Sequence, residues 1–285
     1  VAIVSPSPFI DVEQLVRDLD SLPAQQAVAV RVLHVSGDPR SSATDLAGAV
    51  MADPAITAQV IRLANSAYYG LSGRVGTLPF AVTVVGFLSI RSVVAAFAAG
   101  ALGSEVPTPD GFWERAAASA SSSALIAPRV GAQRADAFSM GLLHELGDFL
   151  LFSASSEAHA EVHESADHWD CRRRCRIERA LFGLDHGQAL ARCLEAWLFP
   201  EEFVEALDAH GETTRVGPPL CRALTGGQAL GALALRPDEE RRASADLLGS
   251  LTSRLEVGGV DLSTAWQLSR QARQDAETIA ASFVS

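Results

Sequence analysis

Residues 53–70 read DPAITAQVIRLANSAYYG, and the punctuation of this stretch sets the fold class. Asp53 followed by Pro54 marks a helix start. A carboxylate at the N-cap accepts from free backbone N–H groups of the first turn, and proline at the first helical position gives up an N–H that has no partner there. Ile56, Val60, Ile61 and Ala64 then recur at helical spacing. Similar signals continue in both directions. Ser42-Ala-Thr-Asp45 is a capping box opening a helix to about Met51. Further helices are predicted over about Asp136–Phe152, Cys171–Phe182, Asp185–Leu198, from Pro200 onward, and over Leu220–Leu235, Asp238–Leu255 and Leu262–Phe283. Asp110 is placed as the cap of a helix carrying Trp113 and the small-residue run Ser119–Ala124, which calls for close packing. Alternating strand patterns with hairpin turns do not occur, so the expected class is all-α.

The composition is that of a globular chain able to bury a sizeable core: 285 residues, 48% hydrophobic and 20% charged. A net charge of −11 argues against broad nucleic-acid binding, which needs cations to replace phosphate counterions. Every basic side chain other than histidine is arginine. Four cysteines and no recognisable secretory signal suggest reduced thiols and a cytoplasmic location. Phe80–Leu102 is apolar enough to be mistaken for a membrane span. Arg91 near its centre would cost about 2.5–3.5 kcal/mol in a bilayer, and Pro79, Gly86 and Ser89 punctuate it, so two buried helices are expected and no membrane insertion. Residues 103–111, GSEVPTPDG, read as the main internal linker.

The segment with the most chemistry is Gly141-Leu-Leu-His144-Glu145-Leu-Gly147-Asp148. His186 follows Asp185 at a helix start, and His210 closes the helix begun by Pro200. Imidazoles and carboxylates from separate helices are how helical proteins build metal sites, though each also reads as a polar group satisfied at a helix end. His159 and His163 lie four apart with His168 nearby, in an order unlike the zincin His-Glu-x-x-His, and are expected on an exposed polar face. Cys171-x-x-x-Cys175 lacks a second closely spaced pair, which speaks against structural zinc. Arg172, Arg173, Arg174 and Arg176 read as a solvated helix face; a small anion, if one binds, belongs there or at the histidines.

The chain resembles the HDOD family, atypical relatives of the HD and HD-GYP metal phosphohydrolases. The resemblance starts at Leu22-Pro23 and is most specific at Asp53-Pro54, Asn65-Ser66 and Tyr69-Gly70. It continues through Gly86–Arg91, Phe112-Trp113, His144-Glu145-Leu-Gly147, Glu178, Gly183-Leu-Asp185-His186 and Trp197–Pro200 to His210. It implies an N-terminal helical bundle (21–103) packed on an HD-like bundle (110–212), within a 21–212 domain. Residues 1–20 would form an N-terminal segment and 213–285 a C-terminal helical extension. It also implies a non-catalytic role in bacterial signalling, beside kinase, receiver or cyclic-dinucleotide modules, with self-association left open.

Several positions depart from the hydrolases. Glu145 replaces the aspartate of the His-Asp pair, and Arg115 falls where an upstream ligand histidine is expected. Asp148 stands in place of the HD-GYP lysine, Leu190 in place of glycine, and Gly211 in place of a second histidine. The expectation is therefore no catalytic residue, no metal and no cofactor. His144, Glu145, His186 and His210 would be a remnant site, with Arg115, Asp148 and Asp185 as ligand-binding candidates. The alternatives are a metal-dependent phosphohydrolase using that variant site, or a nucleotide-sensing module without turnover. Leu220, Leu224, Leu230, Leu233, Leu247, Leu248, Leu251 and Leu255 require burial somewhere.

Overall fold

The Asp53-Pro54 start forms as the sequence predicts. In the computed structural model, Asp53 Oδ1 accepts from the backbone N–H groups of Ala55 (2.7 Å) and Ile56 (3.1 Å). The structure describes residues 24–38, 40–71, 73–102, 107–210, 216–236 and 245–284, with backbone alone at 24–27, 245–250 and 284. Leu22, Pro23, Gly211 and the segments 1–20 and 103–106 lie outside the described residues. Among those described there are fourteen α-helices and no strand.

The first five helices are α1 (Ala24–Gly37), α2 (Ala43–Val50), α3 (Pro54–Ala64), α4 (Leu78–Val85) and α5 (Phe87–Ala98). The most specific motif of the sequence proves architectural. Asn65 clamps the loop between α3 and α4, donating from Nδ2 to the Val75 carbonyl (2.7 Å) and accepting from the Val75 N–H (2.9 Å). Ser66 leads into the short 3₁₀ turn Ala67–Tyr69 without a side-chain cap bond, and Gly70 ends it with a left-handed φ of 68° that disfavours a side chain. Tyr69 lies edge-on to Tyr68, which stacks on Phe138 of the second bundle at 4.9 Å.

The apolar run splits into α4 and α5, bent by 107° at Gly86, and no single helix among the described residues is long and apolar enough to cross a bilayer. Arg91 is buried in α5. It donates to the carbonyls of Trp197 (3.0 Å) and Leu198 (2.8 Å) and lies 4.2 Å above the Phe199 ring. A charge that would be costly in lipid thus caps a helix end across the bundle interface.

The second bundle comprises α6 (Phe112–Val130), α7 (Arg134–Ala154), α8 (Ser156–Ser165), α9 (Cys171–Phe182), α10 (His186–Ala196) and α11 (Glu201–Asp208). α5 packs on α7, joining the bundles. The N-cap of α6 is Gly111, at φ 68°, and not Asp110; the Asp110 carbonyl instead accepts from Arg115. The run Ala116–Ala124 is wholly buried, because α6 is the central helix with α7, α12 (Pro219–Leu235) and α14 (Leu262–Val284) against it. Small side chains let those axes approach closely.

α13 (Ala245–Val257) completes the array. Leu220, Leu224, Leu230, Leu233, Leu251 and Leu255 are buried as required, while the side chains of Leu247 and Leu248 lie outside the described residues. α14 reaches back to the first bundle, where Gln59 and Arg62 donate to the Ser282 carbonyl (2.9 and 3.2 Å), and its Phe283 stacks on Trp113 of α6 at 4.4 Å.

Candidate functional site

α7 carries His144, Glu145 and Asp148 on a buried face. The remaining chemistry comes from α9, whose Cys171, Arg174, Cys175 and Glu178 follow one another at steps of three, one and three, on one helical face, and are all buried. Arg172, Arg173 and Arg176 on the other side of α9 are exposed. The expected solvated arginine face is therefore correct for these three and wrong for Arg174, which turns inward to the carboxylates. Asp185 caps α10, accepting from the Gln188 N–H (2.9 Å) and pairing with Arg179 (2.7 Å), and so starts that helix at His186. Gly147 of α7 allows the approach: a methyl there would collide with the His186 carbonyl.

Two adjoining clusters result. In the first, Asp148 Oδ1 meets Arg174 Nη2 at 2.7 Å, His159 Nε2 at 3.1 Å and His163 Nε2 at 3.4 Å. His159 is buried and His163 half-buried, so the expected exposed histidine face is corrected: a buried carboxylate draws both rings inward. Glu145 Oε2 pairs with Arg115 (3.1 Å) and His168 (3.4 Å). Burial opposes ionisation of both carboxylates, but the surrounding cations and imidazoles outweigh it and hold both well below the usual range. Burial lowers His168 to about 4 despite Glu145 beside it.

In the second cluster three imidazoles converge. His144 Nε2 lies 3.1 Å from His210 Nε2 and 3.2 Å from His186 Nε2, and the last two are 3.0 Å apart. Cys171 Sγ lies 3.0 Å from His210 Nε2 and 3.7 Å from Cys175 Sγ. Glu178 Oε2 accepts from His186 Nδ1 at 2.6 Å, which orients the ring with Nε2 facing the cluster. Gln228, from α12, places its amide nitrogen 2.9 Å from the His144 ring nitrogens, while its oxygen accepts from Arg254 of α13 at 2.6 Å. Burial first, then the neighbouring imidazoles, lowers His144 to about 3. His210 Nδ1 meets no partner among the described residues.

The structure thus brings His144, His186 and His210 together; Glu145 lies between the clusters, with Oε1 3.5 Å from His144 Nδ1 and Oε2 turned toward Arg115 and His168. Arg115 and Asp148 line the first cluster; Asp185 is engaged as a helix cap. Cys171 and Cys175 were not expected to join the histidines. The inward stripe 171, 174, 175, 178 was the signal for them: thiols, guanidinium and carboxylate recur there at helical spacing.

The sequence model of the HDOD domain matches residues 22–213. An uncharacterised protein of Treponema pallidum (strain Nichols) is 22% identical over 195 residues, which cover 67% of this chain and 38% of that protein. The chain therefore spans well under half of that relative's length. A proposed phosphohydrolase of Shewanella amazonensis has a similar fold, with a TM-score of 0.68 and 24% identity over 95% of this chain and 98% of its own. A proposed signal transduction protein of Marinobacter aquaeolei gives a TM-score of 0.65 at 24% identity, over 95% of this chain and 61% of its own. An HDOD domain protein of unknown function from Geobacter sulfurreducens gives 0.58 at 20%, over 96% and 100%.

Proposed function

The chain belongs to the HDOD domain family, and on that premise we propose that it is a regulatory module of bacterial signalling that works through contacts with other proteins and does not hydrolyse phosphodiesters. The observation that carries this reading is the pairing of the two α7 carboxylates with guanidinium groups. Arg115 holds Glu145 at 3.1 Å, and Arg174 holds Asp148 at 2.7 Å. A hydrolytic metal pair needs carboxylates free to bind cations and a bound water brought to a near-neutral pKa. Two guanidinium charges against those carboxylates disfavour a second cation there, and arginine offers no lone pair to ligate one.

The test restores the hydrolase pattern. Titration of Mn²⁺ into wild-type protein is expected to give no binding at these carboxylates. The combined Arg115→His and Glu145→Asp variant is expected to gain it. Mn²⁺ binding by the wild type that is lost on Glu145→Ala would overturn the reading.

A further inference from the structure

The thiols of Cys171 and Cys175 belong to none of the roles above, yet both are buried beside imidazoles. We infer that Cys171, Cys175, His186 and His210 form a closed zinc site, with ligand atoms Sγ, Sγ, Nε2 and Nε2. The inference does not rest on the non-hydrolytic reading, since such a centre could coexist with either outcome at Glu145.

Four observations on geometry carry it. All four ligand atoms lie within 4.8 Å of one another. Zinc bonds of about 2.3 Å to sulfur and about 2.0–2.1 Å to nitrogen give tetrahedral edges of about 3.8 Å between sulfurs and about 3.3 Å between nitrogens. The Sγ–Sγ separation is 3.7 Å and the Nε2–Nε2 separation 3.0 Å. Cys171 Sγ and His210 Nε2 are also adjacent, at 3.0 Å; the sulfur–nitrogen edge from the same bond lengths is about 3.6 Å, so this pair would open by about 0.6 Å around the ion. Finally, Glu178 at His186 Nδ1 is the outer carboxylate that fixes the tautomer and orients a ligating imidazole.

The competing imidazole and the competing clusters are disfavoured for stated reasons. His144 is engaged by the Gln228 amide, itself oriented by Arg254. The oxygen of Asp148 that faces His159 and His163 is the one Arg174 already holds. Charge also balances at the proposed site. Zinc binding releases the thiol protons of Cys171 and Cys175 to solvent, and two thiolates then neutralise the dication. Four protein ligands leave no open position, so the centre would brace α9, α10 and the end of α11 without activating water.

The experiment is X-ray absorption at the zinc edge on the wild-type chain, purified without chelator after growth with zinc, together with metal analysis. About one zinc per chain is expected, with two sulfur ligands near about 2.3 Å and two nitrogen ligands near about 2.0 Å. Cobalt substitution should give the intense near-ultraviolet thiolate charge-transfer band and tetrahedral visible bands. In Cys171→Ser and Cys175→Ser that band should fall to about half or less, and zinc content at least tenfold. Substoichiometric zinc in the wild type, or a shell of nitrogen and oxygen alone, overturns the proposal, and neither reading depends on a variant that folds. Zinc without turnover supports both this inference and the functional proposal; zinc with turnover removes only the latter.

Discussion

At the scale of single residues, the polar core is organised by opposite charges placed where water is excluded. Arg174 is 2% exposed and links Asp148 to Glu178, and Glu178 in turn holds His186. Breaking one partner of such a set leaves a buried charge unpaired, which is why its members depend on one another. His168 gives the sharpest test. Burial depresses it to about 4 although Glu145 lies 3.4 Å away. In the unfolded chain it titrates near the ordinary 6.5, so below that value the unfolded state takes a proton the folded state refuses. Stability from this group is therefore present above pH 6.5 and lost as pH falls toward 4. Its share of the slope is about 1.4 kcal/mol per pH unit in that window, beside a like share from His144, and His168→Gln should remove the His168 share alone. Urea unfolding at pH 7, 6 and 5 measures this; a slope unchanged by the substitution would contradict the neutral, buried assignment.

At the scale of elements, what could be read from the sequence was whatever depends on local chemistry. The Ser42–Asp45 capping box, the Asp53-Pro54 start and the Asp185 cap all need only neighbours within a turn, and all form. The break at Gly86 and the buried small face of α6 were legible for the same reason. The face of α9 was not. Whether Arg174 points to water or to Asp148 is decided by where α7 lies, and His159 is drawn inward by that same carboxylate. Asp110 was misplaced as a cap because Gly111, in the left-handed region, takes the N-cap position. The juxtaposition of α7 with α10 also has a single weak point. Gly147→Ala should drive the His186 carbonyl away and destabilise the fold by about 1–3 kcal/mol. A denaturant midpoint equal to that of the wild type would show that the helices are not in this contact.

For the molecule as a whole, the residues beyond the HDOD match are part of the same core. α12 lies against α6 and supplies Gln228 to His144, α13 supplies Arg254, and α14 ties Ser282 to Gln59 of the first bundle. The histidine cluster is thus completed from outside residues 22–213, and its surroundings are set by the full helical array. On the proposed non-hydrolytic reading, the side chains where a hydrolase would hold its metals serve instead to link helices. The most direct measurement is turnover by the intact wild-type chain, of known metal content, on cyclic dinucleotides and generic phosphodiesters with manganese, iron or zinc added. The account predicts no hydrolysis above buffer with any metal; metal-dependent turnover that disappears in His144→Ala would contradict it.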